Sequence, residues 1–433
     1  MDNRTRFAEW VRQHGSAMES FGLNEDLDEL ELLREIVGGA RVVALGESSH
    51  HVREFYQVRH RMMRFLAERC GFSVYMLEAP FTQGHLFDSW TQGGPGTVED
   101  VAAAGIAANL GDCAELHEAL EWIRERNATD VQLRCVGADL PGSAGSPLPV
   151  LAAIEPYLRK VDPGALPMLA EAAEPARRFD NPSMIKSMSG YAVLDAAQRD
   201  ALTIALSRLL ARMERSASFH RGNGQGDRHE EALHHLRGAW MLDQLHRSNL
   251  TDGFESASTF RDAYIARSVQ RILDTSPSGT RIVLAAHNWH IKKTLDVQEN
   301  AAPLLTAGYH LAEALGDDYR AIAITHHGGR TAIVGPNPDD PEDIAFIDAP
   351  LPEPAADSIE AAFPTEVPWT LADLRAAASE VDDAKSFKTT RMSDYFLDDP
   401  AFEAFDAVAL VSRTSTTGFA LPGPDGEGSP GPG

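Results

Sequence analysis

Five apolar stretches of the chain each lead into a side chain that can accept or donate a proton. The stretches cover residues 41–45, 72–77, 131–137, 281–286 and 321–325, and the side chains that follow are Glu47, Glu78, Asp139, His287 and His326. Continuous runs rich in Val, Ile and Leu predict parallel strands buried on both faces, and the carboxyl ends of such strands open onto the crevice where ligands bind. Any one of these residues alone is better explained as a polar strand end that meets water. Their recurrence predicts one polar pocket with acid–base chemistry.

The GESSH segment, residues 46–50, lies between the first predicted strand and a helix predicted for residues 52–69. Gly46 permits a tight turn, and both Glu47 and His50 can face the crevice. A histidine oriented by a carboxylate is suited to deprotonate water, because its pKa lies near the working pH. Two alternatives stay open: His50 could merely cap the helix, and Ser48 could be a nucleophile although the chain has no GxSxG elbow.

Arg59 shares the apolar stripe of that helix with Phe55 and Met62. A charge on a stripe that faces the core must be paired or must line a polar cavity. Its side chain leans toward the helix N-terminus, where Glu47 and Glu78 are expected. We therefore predict an ion pair between Arg59 and a carboxylate; the alternative is a side chain that extends to solvent.

The HNWH segment places His287 at a strand end and His290 three residues later. Together with His50 they could form a three-histidine metal site, or they could form a proton relay without metal. Glu78 could position His50 or act as its acid–base partner, and Asp139 has the same position on the next strand. The candidate substrate contacts are Asp139, Phe81, Trp289 and His51.

Composition limits the class of partner. The chain of 433 residues carries 39 basic against 64 acidic side chains, a formal net charge of −25, which argues against nucleic acid and against an anionic membrane surface. Its three cysteines contain no CxxC pattern, and no segment resembles a signal peptide or a membrane span. We expect a cytoplasmic enzyme that acts on a small molecule, and the sequence does not indicate its oligomeric state.

The order of the predicted elements defines an α/β fold: a mostly parallel sheet flanked by helices, with a large all-helical insertion between the third and fourth core strands. We assign residues 1–145 and 276–412 to a discontinuous catalytic core and residues 146–275 to a helical lobe that caps the cleft. Residues 330–335 (RTAIVG) are predicted as a neighbouring strand and residues 408–412 as the last strand. Residues 413–433, rich in Gly and Pro at their end, are predicted to be disordered.

At these residues the chain resembles the erythromycin esterase family, and it is most similar to the type B macrolide-inactivating members. The resemblance lies in the stretch from RVVALGESSHH to the end of that helix, the strand ending in Glu78, GADLP, RDAYIARSV, AAHNWHIKKT and the weaker RMSDYF. It covers most of the chain. The order of GESSH, RH, E and HNWH is specific for the family and much less specific for the substrate.

The resemblance implies a hydrolase without metal or cofactor that opens the macrolactone ester of 14-membered macrolides such as erythromycin with an activated water, and so inactivates the antibiotic. It makes His50 the general base and the residues around it essential: Glu47, Arg59, Glu78, His287 and His290. Many members have Gly where this chain has His51, so a positive φ there would strain the backbone. The alternatives are a related hydrolase, cyclase or dehydratase of natural-product biosynthesis, a metallohydrolase on the three histidines, and a lactone-binding protein without catalysis.

Overall fold

The computed structural model describes residues 3–106, 113–129, 132–143, 145–297, 302–381 and 384–423. Residue 131, at the start of the predicted third strand, and residues 424–433 of the predicted tail lie outside the described residues. Within the described ranges no helix combines the length and the apolar character needed to cross a membrane.

A mixed sheet forms the centre of the fold. Its strands, with the separate hairpin β9–β10, are β1 (Ser16–Met18), β2 (Val42–Leu45), β3 (Val74–Pro80), β4 (Arg134–Asp139), β5 (Ile282–Ala285), β6 (Tyr319–Asn337), β7 (Asp340–Pro350), β8 (Trp369–Asp373), β9 (Thr390–Met392), β10 (Tyr395–Leu397) and β11 (Ala407–Thr414). In the described residues the order is β1-β8-β11-β6-β2-β5-β3-β4, and β7 pairs with β6 outside this path. The six strands from β11 to β4 run parallel. At the edge, β8 pairs antiparallel with β11, and β1 pairs antiparallel with β8. The predicted fold class is confirmed.

Both faces of the parallel strands are covered. Val43 and Leu45 of β2 pack into one apolar cluster with helices that follow β2 and β3, while Val42 and Ala44 pack into a second cluster on the opposite face. Because each face meets helices, every position in β2 must be apolar, which explains the continuous rather than alternating sequence pattern.

The helices surround this sheet and form the insertion. They are α1 (Asn3–His14), α2 (Glu31–Val37), α3 (Arg53–Arg69), α4 (His85–Thr91), α5 (Val98–Gly105), α6 (Ala114–Asn127), α7 (Leu148–Val161), α8 (Leu166–Ala176), α9 (Met184–Ala192), α10 (Ala196–Gly222), α11 (Gly226–Thr251), α12 (Phe254–Thr275), α13 (Asn288–Ile291), α14 (Ala307–Leu315), α15 (Leu374–Ala377) and α16 (Ala401–Ala404). Helices α7 to α12 occupy the segment between β4 and β5 that we assigned to a helical lobe. They have their own apolar core, built around residues such as Leu151, Leu206 and Leu236.

Two predictions from the sequence need correction. The RTAIVG segment is not a separate neighbouring strand: it continues β6, which pairs with β7 as an antiparallel arm. Gly329, with φ of 106°, lies where the strand passes from the sheet into this arm. The predicted tail is ordered at its start, because β11 extends to Thr414 and Leu421 forms a bridge to Ile347 of the arm. Both features depend on pairing between distant segments, which a local pattern does not encode.

Candidate active site

The GESSH turn joins β2 to α3 at the carboxyl edge of the sheet. Gly46 is required there by close approach, because a methyl group at this position would overlap the side-chain amide of Asn288. His51 has φ of 55°, so the strained backbone expected at this position is present. The turn and HNWH are held together by two hydrogen bonds: Asn288 N donates to Glu47 O, and His287 Nε2 donates to Ser48 O at 3.1 Å.

Glu47 lies at the centre of the first part of the site. Its Oε1 accepts a hydrogen bond from His50 Nδ1 at 2.8 Å, and its Oε2 lies 3.0 Å from Arg59 Nη1. The predicted pairing of Arg59 with a carboxylate is confirmed. Burial opposes ionisation of Glu47, but the charges of Arg59 and His50 outweigh it and lower the pKa of this carboxyl to about 2. Glu47 is therefore a fixed anion at neutral pH.

His50 is the part of this pair that reaches the cavity. Its side chain is 21% exposed, against 5% for Glu47. With Nδ1 bonded to Glu47, its lone pair lies on Nε2, for which the described residues supply no hydrogen-bond partner. The ring lies 5.1 Å from that of His287 and 6.2 Å from that of Phe346, centroid to centroid. His50 can accept a proton from a water molecule in the cavity.

Glu78, at the end of β3, is surrounded by donors. Its Oε1 accepts from Arg261 Nη2 at 2.7 Å and lies 3.4 Å from His290 Nε2, and its Oε2 accepts from the backbone N–H of His287 at 2.7 Å. Burial favours the neutral acid, but the positive charges of His290 and Arg261 keep the pKa of Glu78 well below its usual range. Glu78 is therefore an anion at neutral pH that accepts hydrogen bonds from Arg261 and from the backbone of His287.

The two histidines of HNWH have opposite protonation states. His287 Nε2 donates to Ser48 O, and Nδ1 accepts from the backbone N–H of Trp289 at 3.3 Å. Burial and the neighbouring His50 lower the pKa of His287 to about 3, so this ring is neutral. Burial also disfavours charge on His290, but Asp262 and Glu78 outweigh it and raise its pKa to about 10. His290 is an imidazolium at neutral pH.

These hydrogen bonds do not fit a metal site on the three histidines. Each imidazole would have to offer a free lone pair to one shared point. His287 uses both ring nitrogens for backbone hydrogen bonds, and both nitrogens of His290 face carboxylates. Across the ranges that the structure describes, no group of three or more His, Cys, Asp or Glu side chains is arranged to hold a metal ion.

The cleft itself is a cavity of about 740 Å³ on whose floor lie His50, Glu78 and Arg261. Its walls come from four separate parts of the chain: residues 181–186 before and within α9, Phe254 at the start of α12, the arm formed by β6 and β7, and residues 419 and 421 of the C-terminal segment. Segments between β4 and β5 therefore line one side of the cavity, while the contributions of the arm and of the C-terminal segment were not predicted from the sequence. Lys186 and Asp340 form an ion pair across the cleft between the lobe and the arm.

None of the four candidate substrate contacts is among the described residues that line this cavity. Asp139 is fully buried, and its carboxylate accepts hydrogen bonds from Nε and Nη2 of Arg261. Phe81 packs on His234 of α11, with ring centroids 4.6 Å apart. Trp289 lies under the Lys292 ammonium at 4.3 Å. His51 is buried between the rings of Phe346 and Phe419, and these two rings, rather than His51, line the cavity.

Sequence reasoning missed Arg261 and Asp262, two adjacent residues of opposite charge in α12. Arg261 bridges Glu78 and Asp139, and Asp262 binds His290 Nδ1 at 2.8 Å. The available signal was the adjacent Arg and Asp in RDAYIARSV, a stretch that contributed to the resemblance. His326, in contrast, ends no strand: it is fully buried within β6 and hydrogen-bonds Thr414 Oγ1 at 3.0 Å.

A histidine that is held by a buried carboxylate at the carboxyl edge of a parallel sheet, and that reaches a large cavity, is an arrangement suited to hydrolysis. Comparison with known proteins identifies the family of hydrolases to which this site belongs. The family model described as erythromycin esterase matches residues 67–414. Erythromycin esterase type II of Escherichia coli is 30% identical over 365 residues, which cover 83% of this chain and 86% of that protein. Erythromycin esterase type I of the same organism is 26% identical over 403 residues, covering 89% and 94%.

A solved structure gives the same result at the level of the fold. A histidine-to-asparagine mutant of the erythromycin esterase EreC in its open conformation superposes with a TM-score of 0.80 and 26% identity, over 93% of this chain and 98% of that one. The chain belongs to the erythromycin esterase family, and it is a carboxylic ester hydrolase.

Proposed function

We propose that this enzyme opens the macrolactone ester of 14-membered macrolides such as erythromycin, with a water molecule deprotonated by His50, and thereby inactivates the antibiotic. The observation that carries the proposal is the hydrogen bond of His50 Nδ1 to the buried Glu47 carboxylate, which leaves Nε2 as a base in the cleft. The names of the two Escherichia coli relatives support the substrate class.

In the first step His50 Nε2 takes a proton from water while the water oxygen attacks the lactone carbonyl. The imidazolium that forms lies 2.8 Å from Glu47, whose negative charge stabilises it. Because Glu47 is already paired with Arg59, its carboxylate cannot rotate away from His50. The tetrahedral intermediate carries its negative charge on the former carbonyl oxygen.

Arg261 is the residue best placed to stabilise that oxyanion. It lines the cleft with His50 and Glu78, and its Nε and Nη2 are bound by Asp139 and Glu78. Its Nη1 has no protein acceptor among the described residues, so this N–H group remains for the substrate. Donors fixed in advance at a developing oxyanion typically contribute ~3–4 kcal/mol to the barrier.

In the second step the carbon–oxygen bond of the lactone breaks. The His50 imidazolium returns its proton to the leaving alkoxide, so that one water has been added and the product is an open-chain hydroxy acid. No covalent bond to the enzyme is formed in this scheme. The cavity of about 740 Å³ lies in the upper part of the ~300–1,000 Å³ that small-molecule sites usually offer, which suits a bulky macrocycle.

The test is incubation with a panel of macrolides of different ring size, followed by liquid chromatography and mass spectrometry. We expect 14-membered rings to gain the mass of one water, and His50→Asn to lower the rate by about 10²- to 10⁴-fold, the usual contribution of a general base. The exposed His14, replaced in the same way, serves as a control that should keep full activity. An unchanged rate in His50→Asn would refute the mechanism, and no turnover of any macrolide would favour an enzyme of natural-product biosynthesis.

A further inference from the structure

Asp262 is buried, with 1% of its side chain exposed, and lies next to His290 in the polar cluster below the cleft. Its Oδ1 accepts two hydrogen bonds, one from His290 Nδ1 at 2.8 Å and one from the backbone N–H of Ala307 at 2.8 Å. The second bond ties the carboxylate to the start of α14. Asp262 is thus fixed from α14 while it contacts the imidazole on α13.

On its other side, His290 faces Glu78. The distance from His290 Nε2 to Glu78 Oε1 is 3.4 Å, so the ring lies between two carboxylates, one at each nitrogen. The imidazole itself is nearly buried, with 8% of its side chain exposed. A ring that has an anion at each nitrogen is stable only with a proton on both nitrogens.

We propose that Asp262 is a positioning residue that keeps His290 doubly protonated, so that this imidazolium anchors Glu78 at the cleft. Glu78 in turn orients Arg261 and the backbone of His287. The catalytic part of this inference rests on the proposed function, whereas the protonation of His290 can be measured without any substrate. Asp262 touches neither the cavity nor the reacting atoms and acts through His290.

The groups around His290 all bear on its charge. Asp262 and Glu78 favour the imidazolium, while the Arg261 guanidinium, on the same helix as Asp262, and burial oppose it. His287 is neutral and adds no charge. If Asp262 lost its charge, only Glu78 would favour the imidazolium, and the charge of Arg261 would oppose it. The proton on His290 would then be held much less tightly.

Asp262→Asn is the appropriate substitution because it removes the charge and keeps the shape. The amide oxygen can still accept from His290 Nδ1–H and from Ala307 N–H, so the hydrogen bonds that position the ring are retained. Asp162→Asn is the control: Asp162 pairs with Arg212 within the helical lobe, and neither residue lines the cavity.

The first experiment is a nuclear magnetic resonance titration of the ligand-free protein with isotope-labelled histidine, in which the His290 signal is assigned as the one missing from His290→Asn. In the wild type we expect this ring to remain doubly protonated up to about pH 9. In Asp262→Asn the proton affinity of His290 should fall at least tenfold, so that the midpoint of its titration moves to lower pH. In the control the midpoint should not move. A His290 that is neutral at pH 7 in the wild type, or a midpoint unchanged in Asp262→Asn, would overturn the inference.

The second experiment compares pH–rate profiles of kcat with erythromycin. Asp262→Asn should stay near the wild-type rate at pH 6.5 and lose about half of that rate or more by pH 9, where the wild type keeps most of its rate, because a proton affinity lowered at least tenfold brings the pKa of His290 from about 10 to 9 or below. An equal loss at every pH would mean a purely structural role and would contradict the proposal. If neither protein turns over a macrolide, the proposed function fails, while the substrate-free titration still decides the inference about Asp262.

Discussion

Replacement of Glu47 by Gln tests the centre of the proposed mechanism. The carboxylate accepts from His50 with one oxygen and pairs with Arg59 through the other. An amide offers only one acceptor oxygen. If that oxygen faces His50, the NH₂ group faces the Arg59 guanidinium; if the amide is reversed, its NH₂ group meets His50 Nδ1 and forces the proton onto Nε2. In neither orientation does the site keep both a base at Nε2 and a balanced charge at Arg59.

The expected loss in the free energy of unfolding for Glu47→Gln follows from the pKa of Glu47. The fall from the ordinary value of 4.5 to about 2 corresponds to about 3 kcal/mol of stabilisation at neutral pH, at ~1.4 kcal/mol per pKa unit. The folded-state pKa is depressed, so this contribution is complete above the unfolded-state pKa and is lost as the pH falls from about 4.5 toward 2. The difference between wild type and Glu47→Gln in the free energy of unfolding should therefore be about 3 kcal/mol at pH 7 and roughly 1 kcal/mol smaller at pH 4.

The expected loss of activity in Glu47→Gln follows from the tautomer of His50, because the carboxylate keeps the proton on Nδ1 and the lone pair on Nε2. An amide in place of the carboxylate that orients a catalytic histidine lowers the rate by ~10⁴-fold where this has been measured in hydrolases. We expect a loss of about 10³- to 10⁴-fold in kcat/KM for Glu47→Gln, that is ~4–5.5 kcal/mol of transition-state stabilisation.

The assay combines urea unfolding at pH 7 and pH 4 with macrolide hydrolysis followed by mass spectrometry. Glu115→Gln is the control, because Glu115 also pairs with an arginine, Arg53, but in a partly exposed position, where an ion pair contributes ~0–1 kcal/mol. The reasoning is refuted if Glu47→Gln keeps more than a tenth of the wild-type kcat/KM, or if its loss of stability is as large at pH 4 as at pH 7.

Two further predictions concern the cleft wall and the backbone. Phe346→Ala removes a ring that lines the cavity beside His50. The KM for the macrolide should therefore rise about tenfold, equivalent to ~1.4 kcal/mol of lost binding, with a smaller change in kcat. Steady-state kinetics measure both constants, and a fall in kcat at constant KM would contradict the prediction. Ser393 has φ of 53°, so Ser393→Val should lower the free energy of unfolding by about 1–3 kcal/mol more than Ser393→Gly. Both variants lose the hydroxyl bond to Ala332 O, so this bond does not contribute to their difference in thermal unfolding, and equal stabilities would disprove the prediction.

The catalytic edge of the sheet was accessible from the sequence because its signals are local. A buried parallel strand needs an uninterrupted apolar run, so the positions of Glu47, Glu78 and His287 after such runs defined the edge without any long-range information. Arg59 was accessible for a related reason: a charge on a core-facing stripe must find an anion, and the helix direction indicated where that anion lies.

The cleft walls and the protonation states were not accessible in this way. The arm depends on pairing between β6 and β7, and the tail residues 419–421 are ordered only because they meet that arm. His290 was predicted as a member of the site, but its charge depends on Asp262, which precedes it by 28 residues on another helix. Arg261 occupies an amphipathic helix whose sequence is equally typical of a solvated face, and only its packing against β3 and β4 makes it part of the site.

The division between floor and walls has a consequence for the way such an enzyme can change. On the floor of the cleft, His50 and Glu78 come from the ends of β2 and β3, and Arg261 comes from α12 of the helical insertion. The surfaces that a macrocycle would meet come from other parts of that insertion, from the antiparallel arm and from a terminal segment. Changes of side chain or length in those wall segments, outside Arg261 and Asp262, can reshape the opening while the hydrogen bonds below it stay intact. New ring sizes or new appended sugars are therefore within reach of selection without any redesign of the hydrolytic step.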